Sequence, residues 1–250
     1  YESELDRLAA MPNVKDVFFR NKADVELARA RGLDAHWTPD LAFVLDPPSY
    51  YPIIERQEGK KLLGIMVADN ISASFSQRDP QQIGYAQYLK SELALVLNDL
   101  REYYKVVFIP MSHARYAYDI KMMYEILSYM PAVSFDYEMM PTDLGVERTM
   151  QVVSEMDLMI SMRFHGLIYS TIAGTPCINI GVTRKNKTFM WENALADLSF
   201  DPFSLNRNDL LTKIKTAEEP VTKFRVEHAR DVNREAIQKV IGHVRQTWCK

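Results

Sequence analysis

Short runs of unbroken apolar residues, each followed by a helix-length amphipathic stretch, leave this chain few folds to choose from. KLLGIMV (61–67), KVVFIP (105–110), LMISM (158–162) and CINIG (177–181) do not alternate polar with apolar residues. A strand without alternation is one covered on both faces, as in a parallel sheet. DVFF (16–19), AHWT (35–38) and AVSF (132–135) extend the series. Helical spacing fills the gaps over 22–31, 82–102, 116–130, 145–156 and 166–174, and two charged helices, 207–217 and 220–247, are split at Pro220. Strands alternating with helices predict an α/β fold, a Rossmann-like doubly wound parallel sheet. The segment DPPSYYPIIERQEGK (46–60) carries three prolines and no period, which marks a crossover and a domain boundary.

A formal net charge of −3 argues against a nucleic-acid partner, which requires a basic surface. Any anionic ligand must therefore meet a local cluster of cations. The two cysteines, Cys177 and Cys249, lack metal-ligand spacing and read as reduced and structural. No metal cluster and no cofactor is expected. No apolar run approaches the length of a transmembrane segment, and the opening YESELDRLAAM is not a signal peptide.

Open parallel sheets bind ligands outside the carboxyl ends of their strands. That rule selects four loops: 68–79, with Arg78; 110–119, with His113, Arg115 and Asp119; RFHG (163–166); and VTRKNK (182–187), with Arg184 and Lys185. RFHG is the sharpest. The helix after it begins near Gly166, so first-turn N–H groups and the positive end of the helix dipole face residues 163–165. Arg163 adds a guanidinium, which suits a phosphate or carboxylate. Gly166 would let a ligand approach the backbone, and His165 is placed to supply or take a proton beside that anion. A plainer reading stands beside this one: Arg163 as an ion-pair partner, and VTRKNK as a solvated charged loop.

Residues 152–185 resemble the polysaccharide pyruvyltransferase family. The resemblance rests on Asp157 followed by LMISM, on Arg163-Phe164-His165, on the small-residue helix GLIYSTIA, on Gly174-Thr175-Pro176 leading into CINIG, and on Lys185. FFRNKADVELARARGL (18–33) and TPDLAFVL (38–45) are similar to earlier signatures of that family. The resemblance implies a glycosyltransferase-B-like fold of two Rossmann-like halves. It implies transfer of pyruvate from phosphoenolpyruvate (PEP) to a sugar diol as a ketal, in cytoplasmic assembly of an exopolysaccharide of the cell envelope. The resemblance also places Arg163, His165, Arg20 and Lys185 at PEP. The chemistry and the loop reading add His165 as the catalytic group and Phe164, Gly166, Arg184, His113 and Arg115 as further residues lining the substrates, PEP and a carbohydrate acceptor.

The glycine-rich strand-loop that opens the family's first half has no counterpart in 1–60. The expected layout is therefore a tail of the N-terminal half (1–50), a linker (51–60), a donor-binding C-terminal half (61–205) and helices packing back on both (206–250). Acceptor binding would then come from the missing N-terminal half, from a partner chain, or from loop 68–79. Two rival readings remain. One is a nucleotide-sugar glycosyltransferase, with Glu192 at the ribose; the other is a non-catalytic anion-binding module.

Overall fold

A computed structural model describes the chain except residues 1, 15, 49–50, 69–79, 113–118, 132–134, 182 and 249–250. It divides into two compact units, one of residues 1–45 with 230–250 and the other of residues 46–229.

The first unit contains a βαβ element. Strand β1 (Val17–Phe19) leads to helix α2 (Lys22–Arg29), capped by the Asn21 side chain on the Ala23 N–H, and then to β2 (Ala35–Trp37). The strands are parallel, with Val17 opposite Ala35. Leu5, from helix α1 (Glu2–Ala9), packs with Val25, Ala28, Leu33 and Ala35 as the core.

In the second unit, β3 (Lys61–Met66), β4 (Tyr104–Phe108), β5 (Tyr137–Met139), β6 (Leu158–Ser161) and β7 (Cys177–Asn179) form one parallel sheet in the order β5-β4-β3-β6-β7. The connecting helices are α3 (Pro80–Leu100), α4 (Asp119–Ser128), α5 (Gly145–Glu155) and α6 (Phe164–Ala173). After β7 come α7 (Arg184–Glu192), α8 (Arg207–Glu218) and α9 (Pro220–Trp248). Every residue of β4 and β6 is buried, as expected for strands covered on both faces, with Lys105 and Ser161 buried among the apolar residues.

The chain leaves β3 toward β4 and β5, then returns to build β6 and β7 on the other side. The direction of winding thus reverses between β3 and β6. That reversal is where open α/β sheets form a ligand crevice, outside the carboxyl ends of the two strands. Met66 sits opposite Ser161, and Ser161 opposite Asn179, so the ends of β3, β6 and β7 lie level.

Two expectations need correction. Phe135, from the predicted strand AVSF, lies outside any strand, and the sheet edge is instead Tyr137–Met139; residues 132–134 are outside the described set. An edge strand is covered on one side only and can be polar: Glu138 pairs with Lys105 at 2.9 Å. VTRKNK is largely a helix start rather than a solvated loop, because Thr183 caps α7. The division between the two units falls at the start of the proline-bearing segment, which packs on the second unit. Ile54 is buried, and the Glu155 carboxylate accepts the Ile53 and Ile54 N–H groups at 2.8 and 2.9 Å.

Candidate active site

Arg163 is the N-cap of α6, directly past the end of β6. Ser161 shapes that junction: its hydroxyl donates to the Arg163 carbonyl at 2.9 Å and accepts from the Arg163 N–H at 3.1 Å. The first-turn N–H groups of α6 therefore open toward the crevice.

The Arg163 side chain does not point freely into solvent. It is 19% exposed and forms a two-pronged ion pair with Asp119, whose side chain is fully buried; Nε donates to Oδ2 at 3.1 Å and Nη2 donates to Oδ1. The same carboxylate accepts the N–H groups of Met111 and Ser112 at 2.9 and 3.1 Å. Burial pushes the Asp119 carboxyl above the ordinary range, opposed by the Arg163 guanidinium and the two backbone donors. Asp119 begins α4, so this pair ties the loop after β4 to the loop after β6. The ion-pair reading of Arg163 is thus present in the fold.

His165 lies one residue into α6 and is exposed. Its ring is 5.9 Å from that of Phe164 and 6.0 Å from that of Tyr169. Phe164 is half-buried, edge-on to Phe189 at 5.9 Å, and carries the Lys185 ammonium 5.1 Å from its ring centre. Arg184 and Lys185 open α7 and are both exposed. The structure thus gathers Phe164, His165 and Lys185 beside the Arg163–Asp119 pair, on the edge where α6 and α7 begin.

Gly166 has a different task from the one expected. It is buried, and a Cβ there would stand 2.2 Å from Ser161 Oγ and 2.7 Å from Met66 Sδ. The residue lets α6 close onto β6 and β3; it does not make room for a ligand. Gly166→Ala should overpack this junction and cost about 1–3 kcal/mol, read as a lower urea midpoint with the slope retained.

Arg20 belongs to the first unit, where its Nη1 donates to Asp40 at 2.6 Å. His113 and Arg115 lie outside the described residues. Glu192 ends α7, about 12 Å along the axis from Arg184. Cys177 is buried, its thiol pushed up to about 12 by burial, which makes it inert rather than reactive.

The motif reading missed a buried amide network. Asn186 Nδ2 donates to the Met162 carbonyl at 3.1 Å and to Asn179 Oδ1 at 3.2 Å, while the Thr183 hydroxyl donates to Asn186 Oδ1 at 2.6 Å. These bonds join the ends of β6 and β7 to the first turn of α7. Its signal in the sequence was an Asn inside the apolar run CINIG. Gly174-Thr175-Pro176 has a structural account too: Gly174 ends α6 at φ +73°, and the Pro176 carbonyl accepts the Met159 N–H at 2.9 Å.

A parallel five-stranded sheet whose winding reverses between β3 and β6, with helices between its strands, is a Rossmann-like α/β arrangement. Among solved structures, a protein described as UDP-N-acetylglucosamine 2-epimerase from Listeria monocytogenes superposes at TM-score 0.60 and 13% identity, over 91% of this chain and 58% of that one. The glycotransferase of kitacinnamycin matches at TM-score 0.49 and 12% identity, over 94% and 58% of the two chains. Spinosyn forosaminyltransferase matches at 0.49 and 9%, over 97% and 66%. The chain thus spans less than two thirds of the length of these proteins. No curated protein matches it significantly. The family model described as polysaccharide pyruvyl transferase matches residues 4–184, and the chain belongs to that family. No helix among the described residues is long and apolar enough to cross a membrane.

Proposed function

We propose that this chain carries the donor-binding part of a pyruvyltransferase that moves pyruvate from PEP onto two hydroxyls of a glycan sugar. Family membership over residues 4–184 is the observation that carries the reading. The geometry supports it: two helix N-termini, an arginine and a lysine share one sheet edge with an exposed imidazole. PEP brings a carboxylate and a phosphate, and each charge-assisted hydrogen bond to them is worth about 1.5–3 kcal/mol. In this reading the first turns of α6 and α7 receive the anionic groups. Asp119 fixes the Arg163 guanidinium beside them, while Lys185 and Arg184 add charge from the solvent side.

His165 acts as the proton donor. Its proton goes to the methylene carbon of PEP, and cationic character builds at C2. One sugar hydroxyl forms a C–O bond there and gives up its proton. The C2–phosphate oxygen bond then breaks, and a second hydroxyl closes the ketal with loss of its own proton. Inorganic phosphate leaves, and there is no net oxidation or reduction. The reading needs no cofactor and places the enzyme in the cytoplasm, working on an envelope glycan.

Thermal shift with PEP, a UDP-sugar and inorganic phosphate tests the donor. PEP at a hundredfold over its Kd should stabilise the fold by about 2.7 kcal/mol, and the UDP-sugar should do less. A larger response to the UDP-sugar would replace this reading with sugar-nucleotide transfer. Indifference to all three would reduce the chain to a non-catalytic module.

A further inference from the structure

The first unit holds a second cluster, unrelated to the PEP reading. Asp16 precedes β1, His36 lies in β2, and His243 comes from the last turns of α9. One carboxylate oxygen, Asp16 Oδ1, lies 3.3 Å from His36 Nε2 and 3.4 Å from His243 Nε2. The ligand atoms of all three residues fall within 4.8 Å of one another. We propose that Asp16, His36 and His243 form a divalent transition-metal site, selective for zinc, that pins the C-terminal helix to the β1–β2 strands.

The distances carry the argument. Zinc bonds of 2.0–2.1 Å to nitrogen or oxygen in tetrahedral arrangement place neighbouring ligand atoms about 3.3 Å apart. Both measured edges match that figure, and the metal completes what the protein leaves open. His243 Nε2 is buried and makes no hydrogen bond among the described residues. The Asp16 side chain is only 5% exposed, and its Oδ1 lies against both imidazoles. Asp34 Oδ1, 3.1 Å from His36 Nε2, is a second oxygen close to the cluster.

The surroundings suit a fixed site. Phe18 stacks on His36 at 5.3 Å between ring centres and meets His243 edge-on at 6.2 Å, restricting both rings. A cavity of about 500 Å³ borders both imidazoles, with room for a water in the remaining position. Two cations also line it, and both are engaged: Arg29 Nε donates to the Ala35 carbonyl at 2.8 Å, and Lys239 pairs with Glu235 at 2.7 Å. Two neutral nitrogens with one carboxylate favour zinc over calcium or magnesium, which take oxygen sets.

Titration calorimetry of the tag-free, metal-stripped chain with ZnCl2 tests the proposal. One equivalent should bind, and the melting temperature should rise with added zinc. Cobalt(II) should bind in its place and show visible absorption bands of a low-coordinate site. His36→Ala, His243→Ala and Asp16→Asn should each weaken zinc by at least about a hundredfold, since removing a ligand costs no less than losing an outer-shell partner of one. Circular dichroism of each variant confirms that it is folded. No zinc binding at millimolar metal, or equal binding by folded variants, would overturn the site.

Discussion

Asp119→Ala should lower the stability of the second unit by about 3–5 kcal/mol, the cost of breaking a buried ion pair from one side. The wild-type carboxylate serves four donors at once: the Met111 and Ser112 N–H groups and two nitrogens of Arg163. With the side chain gone, two backbone donors and a guanidinium only 19% exposed lose this acceptor together. Asp119→Asn should lose less, because one oxygen still accepts while the charge is gone. The pair itself need not be worth as much as its rupture costs, since replacing both members removes the stranded charge. Asp119→Leu with Arg163→Met should therefore recover much of the loss, and the double-mutant cycle gives the coupling. Equilibrium urea unfolding reads each of these variants and the two single substitutions of the cycle. A loss below about 1 kcal/mol for Asp119→Ala would place the pair among weak surface bridges instead.

This pair shows where sequence reading stops. The sheet was legible because parallel strands covered on both faces leave runs such as LMISM, and the strand–helix rhythm follows from that burial. RFHG was legible as a strand exit. Asp119 and Arg163 lie 44 residues apart, and their pairing is set by the winding that brings the loops after β4 and β6 side by side. No local spacing encodes it. Arg184 and Lys185 read as loop because both are exposed, yet Asn186, Phe189 and Met190 recur at helical spacing on the buried face of α7. Gly166 was readable as a special position but not for its reason, which is the approach of Ser161 and Met66 from two neighbouring strands. The Asp16–His36–His243 cluster spans nearly the whole chain, so metal-motif spacing was blind to it.

His165→Ala should reduce turnover by about 10²–10⁴, the usual contribution of a positioned acid–base group. Its folded stability should stay within about 0.5 kcal/mol of wild type, because the side chain is exposed and supports no buried network. PEP affinity should change little, since in this assignment the helix N-termini and the fixed guanidinium carry the binding. Phosphate released from PEP with a glycan acceptor measures the rate, and a PEP thermal shift measures the affinity. His165→Gln sharpens the result. It keeps a hydrogen-bonding side chain but cannot carry a proton, so it should be as slow as alanine. If glutamine retains a large share of the rate, the imbalance between binding and turnover vanishes, and the proton reaching the methylene carbon must come from another group on this edge. Loss of PEP binding together with turnover would make His165 a ligand to the anion instead. The split between the two measurements is what assigns the imidazole to chemistry, because Arg163→Ala should move affinity first and His165→Ala the rate alone.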